Sequence, residues 1–150
     1  MNLKTQIEGD IKKAMLAKQK EELTALRAIK SAILLAETAS GAKAELTEED
    51  GLKILTKAVK QRKDSAELFQ KEGRTDLADK EIVEYKIISK YLPQQLTEDE
   101  LKSAVEKIVS DTGASGMQDM GKVMGIATKS LAGKAEGKAI SMMVKSLLAG

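Results

Sequence analysis

The sequence contains no cysteine and no histidine. Without cysteine, neither a disulfide nor a thiolate metal site can form. Without histidine, the chain lacks the usual general base near neutral pH and the commonest metal ligand. A Ser–His or Cys–His catalytic relay is therefore excluded. We expect no catalytic residue, no resident metal and no cofactor.

Aromatic residues are also scarce, at 2% of the chain, so the core must be aliphatic. Apolar residues make up 42% and charged residues 32% of the 150 positions, which is ordinary for a soluble globular protein. Lys, Glu, Ala and Leu are frequent and no alternating β-branched run occurs, so the predicted fold class is all-α. No apolar run approaches the length of a membrane span, and no signal peptide is recognisable. We expect a cytoplasmic protein without a membrane partner.

The single proline, Pro93, marks a joint in the chain. A helix that runs into it should stop near Leu92, because proline lacks a backbone N–H and clashes with the preceding turn. Thr97 and Glu100 form a capping-box pattern for the next helix, with Leu96 and Leu101 placed as a hydrophobic staple. The sequence therefore predicts two subdomains, residues 1–93 and 94–150, although an ordinary interhelical turn would give the same pattern.

Apolar periodicity predicts about four antiparallel helices before this joint and a smaller three-helix bundle after it. The first helix, from about Leu3 to Ala17, has a stripe that ends at Met15. The second runs from about Glu21 to Ala39 and ends at Ser40–Gly41. Thr47 begins the third, which ends at Gly73, and Thr75 or Asp76 begins the fourth. Arg62 falls on the apolar seam of the third helix, where its stem could follow the core edge or its charge could pair with an acid.

Gly113 is expected to end the fifth helix, and the segment after it is rich in methionine and glycine. Ser115 and Gln118 have capping-box spacing, and the apolar stripe that follows includes Met117, Met120, Met124, Ala127 and Leu131. Such a stripe is more often core than a docking surface, although methionine is adaptable at interfaces. Gly121 and Gly125 each cost about 1 kcal/mol in a helix interior. We therefore expect another helix, or the backbone of a ligand, to approach them closely.

The end of the chain is basic. Residues 94–112 hold two basic and five acidic groups, whereas residues 113–150 hold five and two. Lys122 and Lys129 share a helical face, Lys134 lies in the next turn, and Lys138 lies at a helix start, where free N–H groups favour anions. These four lysines are the candidate phosphate contacts, although exposed lysines are also common on ordinary surfaces.

The chain resembles the GatB/YqeY family along almost its whole length. Five segments in the same order carry the resemblance: Leu26–Ile33, Lys60–Ser65, Tyr91–Leu96, Asp119–Gly125 and Gly133–Gly137. The family joins stand-alone proteins to the C-terminal helical and tail domains of the GatB subunit of the glutamine-dependent tRNA amidotransferase. The resemblance implies two helical subdomains, of which the second corresponds to the tail that contacts tRNA, but it does not imply the active site. Where the family turn usually has Asp or Asn, this chain has Glu136, which is a poorer N-cap.

These observations predict a non-catalytic accessory protein of translation. It would bind tRNA itself, or bind a complex that contains an aminoacyl-tRNA synthetase or the amidotransferase. The family-level label, carbon–nitrogen ligase with glutamine as amido-N-donor, would describe the whole amidotransferase complex to which the family is related, and not this chain alone. The alternative is a protein-interaction module that docks through the Met-rich helix. True amidotransferase activity is the least favoured of the three hypotheses.

Overall fold

The computed structural model describes residues 2–39 and 46–149, and within them every regular element is helical. The all-α prediction is therefore confirmed. The helices are α1 (Leu3–Leu16), α2 (Lys20–Ala39), α3 (Glu48–Lys71), α4 (Thr75–Ser89), α5 (Glu98–Thr112), α6 (Met120–Ser130) and α7 (Gly137–Ala149), with a 3₁₀ turn at Met117–Asp119 before α6. The predicted end of the second helix at Ser40–Gly41 lies outside the described residues.

Local caps set several helix ends where the sequence predicts them. Thr47 and Thr97 both form complete capping boxes, with Asp50 and Glu100 as the respective reciprocal partners. Gly113 ends α5 in the left-handed conformation, with φ +69°. In each case a short side chain or a glycine satisfies backbone groups that the helix leaves without partners.

The chain forms two compact units that divide between Leu92 and Pro93. That the two behave as separate domains stays a prediction.

In the first unit, α1–α4 bury one apolar cluster. Its fully buried members come from all four helices and include Ile7, Leu26, Ile33, Leu55 and Ile88. Three residues link α3 to α4, and these two helices pack along one another as a helical hairpin. The phenol of Tyr91, just beyond α4, donates a hydrogen bond to the Asp10 carboxylate on α1. Burial and this hydrogen bond raise the pKa of Tyr91.

The predicted stripe of the first helix is wrong at its end. Ile7 and Ala14 are buried and Leu3 and Ile11 pack against the cluster, but Met15 is 53% exposed. A spacing of exactly four residues drifts around a helix with 3.6 residues per turn, so the buried stripe passes to Ala14 instead.

Arg62 lies on the α3 seam as predicted and pairs with an acid on α4. Its Nε atom is 3.9 Å from Glu84 Oε2, and its Nη1 donates to the Ala58 carbonyl at 3.0 Å. The Nε atom is buried and has no hydrogen-bond partner within the described residues. Glu81 lies nearby, and burial together with the Glu84 charge raises its pKa, while Arg62 lowers it.

In the second unit, α5, α6 and α7 pack around a second apolar cluster. Its buried members are Leu101, Val105, Val123, Ala127, Leu131, Ile140, Val144 and Leu148. Leu96 packs against the same cluster, so both residues of the predicted staple contribute to it. The residues after Pro93 are thus fixed to the three-helix bundle.

The start of α6 differs from the prediction. The Ser115–Gln118 capping box does not form; the Ser115 backbone N–H donates to Asp119 Oδ2 at 3.0 Å. A 3₁₀ turn precedes α6 and leaves Met117 42% exposed. Met120 and Met124 pack against the buried cluster as core residues.

Candidate functional site

The four candidate lysines lie on α6, on α7 and in the link between them. Lys122 is in the first turn of α6 and Lys129 near its end, Lys134 is in the link, and Lys138 is in the first turn of α7. All four side chains are exposed. They therefore remain accessible to a ligand in solution.

The segment after Pro93 holds this link in place. The Leu96 backbone N–H donates to the Lys134 carbonyl at 2.9 Å, and Gln95 Nε2 donates to the Gly133 carbonyl at 2.6 Å. Gly133 is buried and has φ +74°, a conformation that glycine adopts without strain. The backbone at Lys134 is thus fixed while its side chain stays exposed.

The last helix begins where the sequence predicts. The Ile140 backbone N–H donates to the Glu136 carbonyl at 3.0 Å, and the first helical residue is Gly137. The substitution of Glu for the usual Asp or Asn at this turn therefore does not prevent the start of α7.

A fifth lysine, Lys145, extends the basic surface along α7. Lys138, Met142 and Lys145 lie at positions i, i+4 and i+7, and all three are exposed. Lys122, Ile126 and Lys129 have the same spacing on α6, again with all three exposed. Lys145 is not among the lysines predicted around the turn, but the spacing that α6 and α7 share identifies it as part of the same basic surface.

The charge of this surface is largely uncompensated. We call Lys122, Lys129, Lys134, Lys138 and Lys145 the lysine surface; within residues 2–39 and 46–149, none of the five has an ion-pair partner. The acids of the unit are concentrated on α5. Three of them lie in its first turn, where their negative charge interacts favourably with the positive end of the helix dipole. The second unit thus has an acidic helix and two basic ones.

Gly121 and Gly125 lie on the exposed side of α6. A Cβ atom built at either position would meet no atom within 4 Å. No helix in the described part of the chain makes the close approach that the sequence analysis expected. The other expectation, that a ligand backbone approaches these glycines, stays a prediction.

The start of α6 does not match a complete P-loop motif. Gly116, Gly121 and Lys122 have P-loop spacing, but a buried valine, Val123, follows where a P-loop has Ser or Thr, and no strand precedes them. No cluster of three potential metal-ligating side chains occurs in the part of the chain that the structure describes. Nor does any helix there have the length and apolarity to cross a membrane.

An open groove of about 950 Å³ in the first unit has a mixed lining. Leu3, Leu34 and Leu52 supply apolar surface, and Lys4 Nζ lies 3.1 Å from Glu37 Oε2 at its edge. We assign this groove no role.

Comparison with known proteins finds relatives named "Altered inheritance of mitochondria protein 41, mitochondrial". The protein of Clavispora lusitaniae is 38% identical over 115 residues, covering 75% of this chain and 66% of the relative. Those of Saccharomyces cerevisiae (41% over 96 residues; 63% and 51%) and Lachancea thermotolerans (35% over 107 residues; 70% and 57%) are also similar. The chain thus spans between 51% and 66% of the length of these curated relatives. A family model described as "Yqey-like protein" matches residues 4–148, so the chain belongs to the YqeY-like family.

Proposed function

We propose that this protein is an accessory tRNA-binding protein, and that the lysine surface of α6 and α7 contacts the RNA backbone. The observation that carries the proposal is five exposed lysines without an ion-pair partner in the described residues, on a unit whose acids are concentrated on another helix. Lys122 and Lys129 are separated along α6 by about 10 Å, which allows them to contact different phosphates. Family membership supports the proposal, because the sequence resembles the tail of the tRNA amidotransferase.

Salt dependence of tRNA binding tests this interface. Each phosphate contact contributes about −0.9 to the slope of log affinity against log salt on duplex DNA, and we expect a similar value for helical RNA. Changing Lys122, Lys129, Lys134 and Lys138 to alanine should flatten the slope by about two to four units and weaken binding to many tRNAs alike. Adding Lys145→Ala should flatten it further.

A matched control replaces four exposed lysines of the first unit that also lack an ion-pair partner in the described residues: Lys57, Lys80, Lys86 and Lys90. Both sets remove four positive charges, so a general charge effect would weaken binding equally. Equal weakening would show that the lysine surface is not the site. If wild type shows no salt-dependent binding to tRNA, the proposed function itself is wrong.

The exposed glycines give a second, independent test. Gly125→Ala should stabilise the helix by about 1 kcal/mol, because its Cβ meets no neighbour and alanine favours helix. Gly121→Ala should stabilise it less, because Gly121 lies in the first turn. If an RNA backbone approaches this side of α6, both changes should weaken tRNA binding while they raise thermal stability. Unchanged affinity would contradict the close-approach role of the glycines.

We propose that the carbon–nitrogen ligase activity belongs to the tRNA amidotransferase complex, and that this chain only associates with that complex. The purified chain, given misacylated tRNA, ATP and glutamine, should produce no amidated tRNA, because without histidine and cysteine it has no Ser–His or Cys–His relay, and it has no P-loop for a nucleotide in the described residues. Turnover by the chain alone would contradict the accessory role. An aminoacyl-tRNA synthetase or the amidotransferase remains the proposed protein partner, and co-purification with bound tRNA tests it.

The alternative of docking through the Met-rich helix has less support. Met120 and Met124 are packed against the core of the second unit, which leaves Met117 and Ile126 as the large exposed apolar side chains of this region. Partner binding that resists high salt and is lost in Met117→Ser would favour this alternative.

The sequence predicts the cytoplasm, whereas the relatives are named as mitochondrial proteins. We propose a mitochondrial location, because mitochondria carry out their own translation and a tRNA-binding role fits such a compartment. Fractionation of cells that express the tagged chain, with matrix and cytosolic markers, tests the location.

A further inference from the structure

The turn between α1 and α2 is exposed over seven consecutive residues, Met15 to Glu21. Leu16 is 87% exposed, which makes it the most exposed large apolar side chain in the described residues, and the neighbouring Met15 is 53% exposed. Single exposed apolar side chains are normal on protein surfaces. Met15 and Leu16, however, are adjacent at the end of α1 and form an exposed apolar patch that no described residue of the first unit covers.

Lysines flank this apolar patch in the sequence. Residues 12–20 contain Lys12, Lys13, Lys18 and Lys20 and no acid, and all four lysines are exposed. Lys13 Nζ lies 4.0 Å from Asp10, while the other three have no ion-pair partner in the described residues. Asp10 precedes this stretch, and Glu21 and Glu22 follow it in the first turn of α2, so residues 10–22 hold four basic and three acidic groups. The turn therefore combines a small excess of positive charge, carried by lysines next to Met15 and Leu16, with protruding apolar side chains.

The backbone of the turn adds a third observation. The Gln19 N–H donates to the Ala14 carbonyl at 3.0 Å and the Lys18 N–H to the Met15 carbonyl at 3.2 Å, which is a Schellman motif. Lys18 occupies its left-handed position with φ +56°, where glycine is usual. The backbone of Lys18 is thus in a conformation that is strained for a residue with a side chain.

We propose that the α1–α2 turn docks on the surface of a membrane that contains anionic lipids, with Leu16 and Met15 entering the interface and the lysines contacting lipid phosphates. Anionic headgroups complement the lysines, and the acyl boundary accommodates the apolar side chains. An RNA backbone would match the charge but would leave Leu16 without an apolar environment. A surface contact of this kind needs no spanning helix, so it is compatible with the absence of one in the described residues. The sequence-based expectation of no membrane partner rested on the lack of an apolar span and of a signal peptide, and neither bears on a surface contact.

Vesicle co-sedimentation tests the proposal with the full chain. Wild type should bind phosphatidylcholine vesicles that contain about one-third phosphatidylglycerol and should not bind pure phosphatidylcholine. Lys12→Gln with Lys20→Gln should weaken binding about 25-fold, because each lysine near an anionic surface contributes about fivefold. Leu16→Gln should weaken it about tenfold.

Matched controls are available in the same unit. Leu35 is 72% exposed on α2, so Leu35→Gln removes another strongly exposed leucine, away from the turn. Lys57→Gln with Lys80→Gln removes two exposed lysines of α3 and α4. These controls should bind vesicles as wild type does. Because all these positions are exposed, circular dichroism should show the same helix content in every variant.

Fluorescence provides a direct probe of insertion, because the chain has no tryptophan. The emission of Leu16→Trp should shift to shorter wavelength on anionic vesicles, and lipids with brominated acyl chains should quench it, while Leu35→Trp should do neither. Vesicle binding that is unaffected by Leu16→Gln, an equal shift at Leu35→Trp, or no binding of wild type to anionic vesicles would each refute the proposal. If the Lys12/Lys20 variant loses tRNA binding and wild type binds no vesicle, the turn is an RNA-binding surface and the membrane proposal is wrong.

Discussion

Gln95→Ala tests how the joint after Pro93 supports the lysine surface. Gln95 Nε2 donates a partly buried hydrogen bond to the carbonyl of Gly133 at 2.6 Å and an exposed one to the Pro93 carbonyl at 2.9 Å. The first of these bonds crosses from the start of the unit to the link that carries Lys134. Truncation to alanine removes both bonds and leaves the core untouched.

The expected loss of stability follows from these bonds. A typical intramolecular hydrogen bond contributes about 0.5–1.5 kcal/mol net, and a buried acceptor left without a donor costs about 1–3 kcal/mol. The Pro93 bond is exposed and adds little. We therefore expect Gln95→Ala to destabilise the second unit by about 1–2 kcal/mol, which lowers the melting temperature of a unit of this size by about 4–8 °C per kcal/mol.

Thermal unfolding followed by circular dichroism measures this effect, and tRNA binding at low salt measures its functional consequence. Gln94→Ala is the control, because Gln94 is exposed and makes no side-chain hydrogen bond in the described residues. Binding should weaken in Gln95→Ala because the position of Lys134 is less well fixed. If both variants have the stability of wild type, the hydrogen bond to Gly133 does not stabilise the link between α6 and α7. The proposal that Gln95 fixes the position of Lys134 would then be wrong.

Three further predictions concern the α1–α2 turn, Glu81 beside Glu84 and Arg62, and the domain boundary. Lys18→Gly should raise stability by about 0.5–1 kcal/mol in thermal unfolding, because glycine relieves the left-handed strain, whereas Lys18→Ala should not. Glu81→Gln should stabilise the protein at neutral pH, because the raised pKa of Glu81 means that the folded state holds its proton more tightly and loses stability when the carboxyl ionises as the pH rises. Urea titrations should show that this gain shrinks as the pH falls towards 4.5. Residues 93–150 expressed alone should give a helical, cooperatively unfolding unit; a non-cooperative transition would contradict the predicted domain boundary.

The sequence alone determined the features that depend on near neighbours in the chain. The capping boxes at Thr47 and Thr97 and the left-handed end at Gly113 were predictable, because each is completed within a few residues. The all-α class followed from composition and apolar periodicity, and family membership from motifs in order along the chain. The exposure of the candidate lysines also agrees with their positions off the apolar stripe.

Only the tertiary structure decided which residues each helix buries and which segments meet across the sequence. Met15 is exposed and Ala14 buried, because packing selects the face of α1 that meets its neighbours, and a strict four-residue spacing does not follow that face. The pairing of Arg62 with Glu84 and the bond from Gln95 to Gly133 join residues far apart in the chain, so no local spacing announces them. The exposed backbone at Gly121 and Gly125 belongs to the same group, because whether a glycine has a close neighbour depends on helices that the local sequence does not describe.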